Sequence, residues 1–414
     1  MSEVSGTNQS MSTRSARHAA TDTPHADHAL NDNHSHIHDS MHPMPGMQAS
    51  PILTSAHKIA IAGLGLIGGS LALRLAERGR YVIAWNHNSR PYEAAARHHI
   101  RCVESLEALA AGKPDVLVLA TPLTAMPAVL AELAPALSPA TTLTDVGSVK
   151  TEVRQQVSNA GLAEYYVGAH PMAGNERSGF AAADPTLFDG ALWAITVDEN
   201  TRYDRYLTVA DMITQGVGNR IITLDDHIHD SSAAMISHMP HVVSTALSAM
   251  LVDSEHRNIE AALAAGSWRD MTRVSLTDPD RTRAMIEEDS ENVASLLRQL
   301  SQRLNSVAES LEQLGDVSSQ TPLNKEQSPD AQQAEKQLYA FFQAPEPFRA
   351  YKRKQRKDDT ADENSSTQQM DGQHNEITIP EQTWQQTLIE SAKAGEQITG
   401  FVTTHTARVI TRSL

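Results

Sequence analysis

The stretch "HKIAIAGLGLIGGSLALRLAERG", residues 57–79, decides the fold. "KIAIA" reads as a short strand, glycines follow at once, and "GSLALRLAERG" has helical apolar spacing closed by Gly79. Gly63, Gly65 and Gly68 thus form G-x-G-x-x-G between a strand and a helix, with Leu66 and Ile67 inside the motif. The first glycine permits a tight turn, the second lets backbone approach a pyrophosphate, and the third lets helix and strand pack closely. The helix N-terminus adds free N–H groups and a positive dipole end. Together these features predict a dinucleotide site.

Downstream the theme repeats. "YVIAWN" (81–86), "DVLVLAT" (115–121), "TTLTDV" (141–146) and "YYVGAH" (165–170) read as strands with helical stretches between them. That alternation predicts an α/β fold, a Rossmann-type doubly wound parallel sheet. Such sheets bind ligands beyond the carboxyl ends of their strands, where Thr121-Pro122, Gly147-Ser148 and His170-Pro171 would gather. After about residue 222 the pattern turns helical, with long apolar stripes in "DSSAAMISHMPHVVSTALSAMLVD", "NIEAALAAG" and "DSENVASLLRQLSQRLNSVAESLEQLG". An all-helical domain of this kind is expected to bury part of its surface in a homodimer, the alternative being an intramolecular bundle.

The expected organisation is therefore a His-rich disordered tail over 1–54, a dinucleotide-binding domain over 55–222 and a helical substrate and dimerisation domain over 223–315. A polar linker with a small C-terminal segment of unassigned role fills 316–414, and includes the basic run "YKRKQRK". Within the tail, "HADHALNDNHSHIHDSMH" could hold a transition metal, but a solvated low-complexity tail explains it better.

The 414 residues carry a net charge of −16, which argues against a general nucleic-acid binder. A single cysteine, Cys102, excludes an intrachain disulfide framework and fits a reducing cytoplasm. No stretch reads as a run of ~20 apolar residues, so no membrane span is expected. The composition points to a soluble enzyme.

The end of the second strand bears on which dinucleotide binds. An NAD site usually places an acid there for the ribose 2′-hydroxyl. Here "AWNHNSR" has Asn86 at that place, with His87, Ser89 and Arg90 close behind. Asn, Ser and Arg can receive a 2′-phosphate that a carboxylate would repel, so NADP is expected over NAD.

"GLGLIGGSLA", "TDVGSVK", "GAHPMAGNERSG", "HDSSAAMISHMPHVVSTAL" and "SWRDMTR" follow one another in this order. Together they resemble the prephenate/arogenate dehydrogenase family of tyrosine biosynthesis, over about residues 57 to 312. The resemblance implies a Rossmann-type domain followed by a helical dimerisation domain. It also implies oxidative decarboxylation of a cyclohexadienol, prephenate or arogenate, with an NAD(P) cofactor. Under it His170 is the catalytic histidine, and an imidazole with an ordinary pKa of ~6.5 suits proton removal near neutrality. Ser148 is the serine that bonds the histidine and the substrate hydroxyl, although a helix cap near Lys150 is an equally ordinary role for a serine.

Arg273 is implied to receive a substrate carboxylate through its planar fork, either oriented by Asp270 or merely paired with it at i, i+3. His238 and His241 lie three apart on one helix and are implied to face the active site, the second nearer the substrate side chain. Gly266 and Glu176 complete the implied substrate set, with Arg177 shaping the loop. The resemblance requires no metal, and none is expected. Asn175 stands where the family more often has Thr. Residues 316–414 lack the strand pattern of the regulatory ACT domain that many members carry.

Two rival readings differ in class. Another Rossmann-plus-helical oxidoreductase, of the hydroxyacid dehydrogenase or imine reductase type, would use a lysine in the second domain, and residues 223–312 contain none. An inactive cofactor-binding regulator would have lost part of the chemistry-bearing set, all of which is present.

Overall fold

Strand β1 (Lys58–Ala62) is flanked on both sides, and its last four residues are buried. It pairs in parallel with β2 (Tyr81–Trp85) and β4 (Val116–Leu119), and β3 (Arg101–Cys102) and β5 (Thr142–Asp145) complete a five-stranded parallel sheet. The order β3-β2-β1-β4-β5 reverses direction at β1, the switch point where such sheets bind nucleotides. This is a computed structural model, and it describes residues 56–318, 329–364 and 375–414. The His-rich tail, its possible metal cluster and most of the polar stretch after "YKRKQRK" lie outside the described residues.

Helix α1 (Leu66–Glu77) buries Leu66, Leu71, Leu73 and Leu75, and the crossovers between strands run through α2 (Tyr92–Ala96), α3 (Leu106–Ala111) and α4 (Met126–Leu133). Val116, Leu117, Val118 and Leu119 are all buried, as a central parallel strand requires.

The chain departs from the expected single parallel sheet after α5 (Thr151–Asn159). Tyr166 still bridges Leu143 in parallel, but β6 (Gly168–Pro171) then turns into a second, mixed sheet and runs antiparallel to β7 (Leu192–Thr196). Gly168 permits the switch, because a Cβ there would stand 2.3 Å from Thr196 Oγ1. After α6 (Tyr203–Asp211), β8 (Arg220–Leu224) pairs in parallel with β7.

The helical part opens with α7 (Asp226–Ala233), a π-turn over Ala234–His238, and α8 (Met239–Asp253). Pro240 has no N–H to offer the carbonyl of Ile236, and the helix widens where that bond is missing. The whole run Asp226–Asp253 has an 18-residue window of mean hydropathy 1.3, long and apolar enough to cross a membrane by length and composition. That corrects the expectation that no stretch reaches this length. The run nonetheless carries buried Asp226, His229, Asp230 and His238, each costly in hydrocarbon. Helices α9 (Arg257–Leu263), α10 (Gly266–Thr272), α11 (Pro279–Glu288) and α12 (Ser290–Ser318) follow.

Where a polar linker is expected, α13 (Pro329–Gln343) and α14 (Glu346–Asn364) stand instead. Ala331 and Ala334 of α13 are buried, and Ser310 of α12 bonds Gln337 at 3.0 Å. The last segment is β9 (Asn375–Thr378), α15 (Trp384–Lys393), β10 (Glu396–Thr403) and β11 (Thr406–Thr411). It is part of the second sheet, whose order is β6-β7-β8-β10-β11-β9. Ile398 pairs with Ile221 of β8, and Trp384 packs 4.8 Å from the Tyr203 ring and 5.1 Å from that of Tyr206.

Candidate active site

The glycine loop has the geometry its spacing predicts. Gly63 has φ +112°, and a Cβ on it would lie 2.4 Å from the Ala120 carbonyl oxygen. A Cβ on Gly68 would fall 2.1 Å from the Gly63 oxygen, so helix and turn touch there. Gly65 is different: a Cβ on it would meet no protein atom within 4 Å, so the space beside it is open to a ligand. Helix α1 starts there with no side-chain cap and no acid in its first turn. Free N–H groups, an open glycine and no opposing carboxylate fit a pyrophosphate. Nearby, Thr121 Oγ1 is buried without a partner among the described residues, next to exposed Pro122.

Asn86 has a role that its position in sequence does not reveal. Its Oδ1 accepts the Leu64 N–H at 3.0 Å and its Nδ2 donates to the Asn88 carbonyl at 2.9 Å. The side chain expected to meet a 2′-phosphate is thus already engaged in bracing the glycine loop. Ser89 and Arg90 are exposed at the same turn.

His170 is the fixed point of a polar cluster beneath the ends of β5 and β6. Lys150 and Asp145 form a wholly buried ion pair, and Lys150 Nζ also donates to the Ala169 carbonyl at 2.9 Å. Asp145 accepts from Tyr166 Oη at 2.8 Å, Gly147 N at 2.8 Å and Ala169 N at 3.2 Å. The backbone just before His170 is held from both sides. On the imidazole, Nδ1 lies 3.0 Å from His229 Nε2, and His229 Nδ1 lies 2.8 Å from Asp230 Oδ1.

The His170 ring lies deep among protein atoms, yet keeps an opening to solvent. Burial, then the neighbouring His229, Lys150 and His238, hold its pKa well below the ordinary value, so it is neutral near pH 7. Burial pushes the Asp230 carboxyl up. Hydrogen bonds from His229, Thr151 and Lys150 outweigh it and bring the pKa down to about 2.

Ser148 is half-buried on the turn between β5 and α5 and makes no hydrogen bond among the described residues. It does not cap α5. Asp230 does so from α7, accepting the Lys150 N–H at 2.7 Å and the Thr151 N–H at 2.9 Å.

The helical residues are arranged less uniformly than the implied substrate set suggests. His238 is buried, with Nδ1 at 2.7 Å from Asp289 Oδ2 and Nε2 without a partner among the described residues. His241 is part-buried and its Nδ1 donates to the Ser237 carbonyl at 2.9 Å. Arg273 is exposed at the end of α10, and the expected pair with Asp270 is not formed. Asp270 lies 4.0 Å from Arg269 instead, because Arg273 leaves the α-helical path into a 3-10 turn. Gly266 begins α10, and Glu176 is exposed on the loop after β6.

That loop is tied to the helical part. Arg281 of α11 donates to the carbonyls of Arg177 and Asn175, both at 2.9 Å. Asn175 Oδ1 accepts the Arg177 N–H at 2.9 Å, closing a local turn that a Thr hydroxyl could make only weakly.

The sequence motifs do not single out Asp145, Lys150, His229, Asp289 or Arg281. The one available signal was the Asp–Lys spacing within "TDVGSVK", in the same motif as Ser148. Among the described residues, no group of three or more His, Cys, Asp or Glu side chains is placed to hold a metal ion.

A glycine-loop nucleotide fold joined to a helical part, the two sharing a histidine cluster, defines the class: a Rossmann-type domain followed by a helical domain. Residues 70–223 match the family model "Prephenate dehydrogenase, nucleotide-binding domain", and residues 225–320 match "Prephenate dehydrogenase, dimerization domain". The chain belongs to the prephenate dehydrogenase family.

A cyclohexadienyl dehydrogenase of Zymomonas mobilis is 30% identical over 240 residues, covering 55% of this chain and 79% of the relative. A prephenate dehydrogenase of Bacillus subtilis is 29% identical over 242 residues, 57% of this chain; the chain spans 65% of that relative, just under two thirds of its length. The crystal structure of prephenate dehydrogenase from A. aeolicus, in complex with hydroxyphenyl propionate and NAD+, superposes with a TM-score of 0.61 at 25% identity. That match covers 72% of this chain and 98% of the other. The first matched domain begins at residue 70, just after the glycine loop.

Proposed function

We propose that the protein catalyses the NAD(P)-dependent oxidative decarboxylation of prephenate or arogenate, in tyrosine biosynthesis in the cytoplasm. The observation that carries this is His170: a neutral, anchored imidazole whose Nε2 has no partner among the described residues, on the chain segment that leaves the nucleotide-binding sheet. The glycine loop, Gly63, Gly65 and Gly68, would hold the dinucleotide, which would supply the hydride acceptor. His170 Nε2 takes the proton of the substrate ring hydroxyl as that hydride leaves, and loss of the carboxylate as CO2 makes the ring aromatic. Ser148, free of other hydrogen bonds among the described residues, bonds the same hydroxyl. Arg273, with His241 beside the substrate side chain, receives the fixed negative charge; the guanidinium is exposed and has no ion-pair partner among the described residues.

The test is kinetic. His170→Asn should lower kcat by ~10²–10⁴ with little change in KM, and an unchanged kcat would sink the assignment. NADP is proposed over NAD, with Ser89 and Arg90 meeting the 2′-phosphate. kcat/KM measured with each cofactor decides this, and a wild type that prefers NAD refutes it.

The working unit is proposed to be a homodimer through the helical part. Met235, Ile236, Met250 and Val252 lie exposed along α7–α8, in the region that matches a dimerization-domain family. Light scattering behind size exclusion should give twice the 45.0 kDa chain mass.

A further inference from the structure

Asp230, His229 and His170 form an unbroken line of hydrogen bonds, and donor–acceptor counting assigns each proton along it. Asp230 accepts from Lys150 N, Thr151 N and His229 Nδ1. An ionised carboxylate only accepts, so the His229 proton must sit on Nδ1. In a neutral ring His229 Nε2 is then a bare lone pair. His170 Nδ1, 3.0 Å away, has to be the donor, which leaves His170 Nε2 bare.

From this geometry we infer that Asp230 and His229 are positioning residues: they hold His170 with Nε2 free to accept a proton and draw the charge gained in turnover away from it. The inference rests on the reading of His170 as the base.

The proton balance is simple. The substrate O–H proton bonds to His170 Nε2, and the Nδ1 proton of His170 passes to His229 Nε2. The positive charge then rests on His229, whose Nδ1–H faces the Asp230 carboxylate. Release of product reverses both transfers and returns the proton to solvent.

The surroundings favour that destination. Lys150, paired with Asp145, lies under His170, and His238, paired with Asp289, lies on its helical side. Lys150 and His238 both disfavour a charge left on His170 itself, while Asp230 favours one on His229. The same carboxylate caps α5, so the turn bearing Ser148 and the ring of His170 are positioned from one point.

Neutron diffraction from wild-type crystals at neutral pH tests the assignment directly. Deuterons are expected on Nδ1 of both rings, and a deuteron on His170 Nε2 would overturn it. His229→Gln offers an acceptor to His170 Nδ1 but cannot take the proton. With folding verified by circular dichroism, kcat should fall about 10–100-fold while KM for substrate and cofactor stays within about twofold. The acidic limb of the kcat profile should move to lower pH, because the charged state loses its place beside Asp230. A kcat near wild type, or an unmoved limb, overturns the inference. If His170→Asn is inactive while His229→Gln is unaffected, only the relay falls. If His170→Asn stays active, the base assignment itself falls.

Discussion

Lys150 is as buried as any leucine of the core, and it forms its ion pair with Asp145. Burial lowers its pKa, while the adjacent Asp145 raises it. Removing one member of such a pair leaves an uncompensated buried charge. Lys150→Ala is therefore expected to lose about 3–5 kcal/mol of stability in urea denaturation. Charge state also ties stability to pH. The Asp230 pKa falls from 3.8 to about 2 on folding, so its stabilising contribution is complete above pH 3.8 and is lost as pH drops towards 2. His170 resists protonation in the fold, while an unfolded chain takes a proton near pH ~6.5. Stability should fall as pH drops below that value. His170→Asn should show a shallower decline of Tm between pH 7 and pH 5 than wild type. Of these residues, His170 and the three glycines are legible in sequence, because their motifs are local. His229 and Asp230 are not, since adjacency says nothing of a ring on a helix reaching a histidine on a distant strand.

At the scale of elements, the loop after β6 and the helix α11 act together. Two backbone carbonyls of that loop are held by one guanidinium, Arg281, which fixes where Glu176 and Arg177 stand. Arg281→Ala is expected to raise substrate KM roughly 3–10-fold with a smaller effect on kcat, measured by steady-state kinetics. Periodicity announces the helix over 226–253 but not the π-turn inside it. Only the meeting of Pro240 with the preceding carbonyls reveals that turn, and it sets the direction of His238. The Asp270–Arg273 pair shows the converse failure. The spacing is right for an α-helix, and the helix tightens before the pair can form.

At the scale of the whole molecule, the C-terminal strands are part of the nucleotide-binding half. Trp384 is 7% exposed and sits against Tyr203 and Tyr206, so Trp384→Ala should cost about 3–5 kcal/mol in denaturant titration. The five-stranded parallel sheet is legible because each strand and its crossover are neighbours in sequence. The second sheet is not, because Ile221 finds Ile398 only across the entire helical part. That pairing has a kinetic consequence. A chain emerging from the ribosome presents β8 with one side unpaired until residues near 398 arrive, and the intervening segment must close a long loop first. The nucleotide half is thus a discontinuous folding unit that waits for the helical half to be synthesised, and its open strand edge is where aggregation during expression would begin.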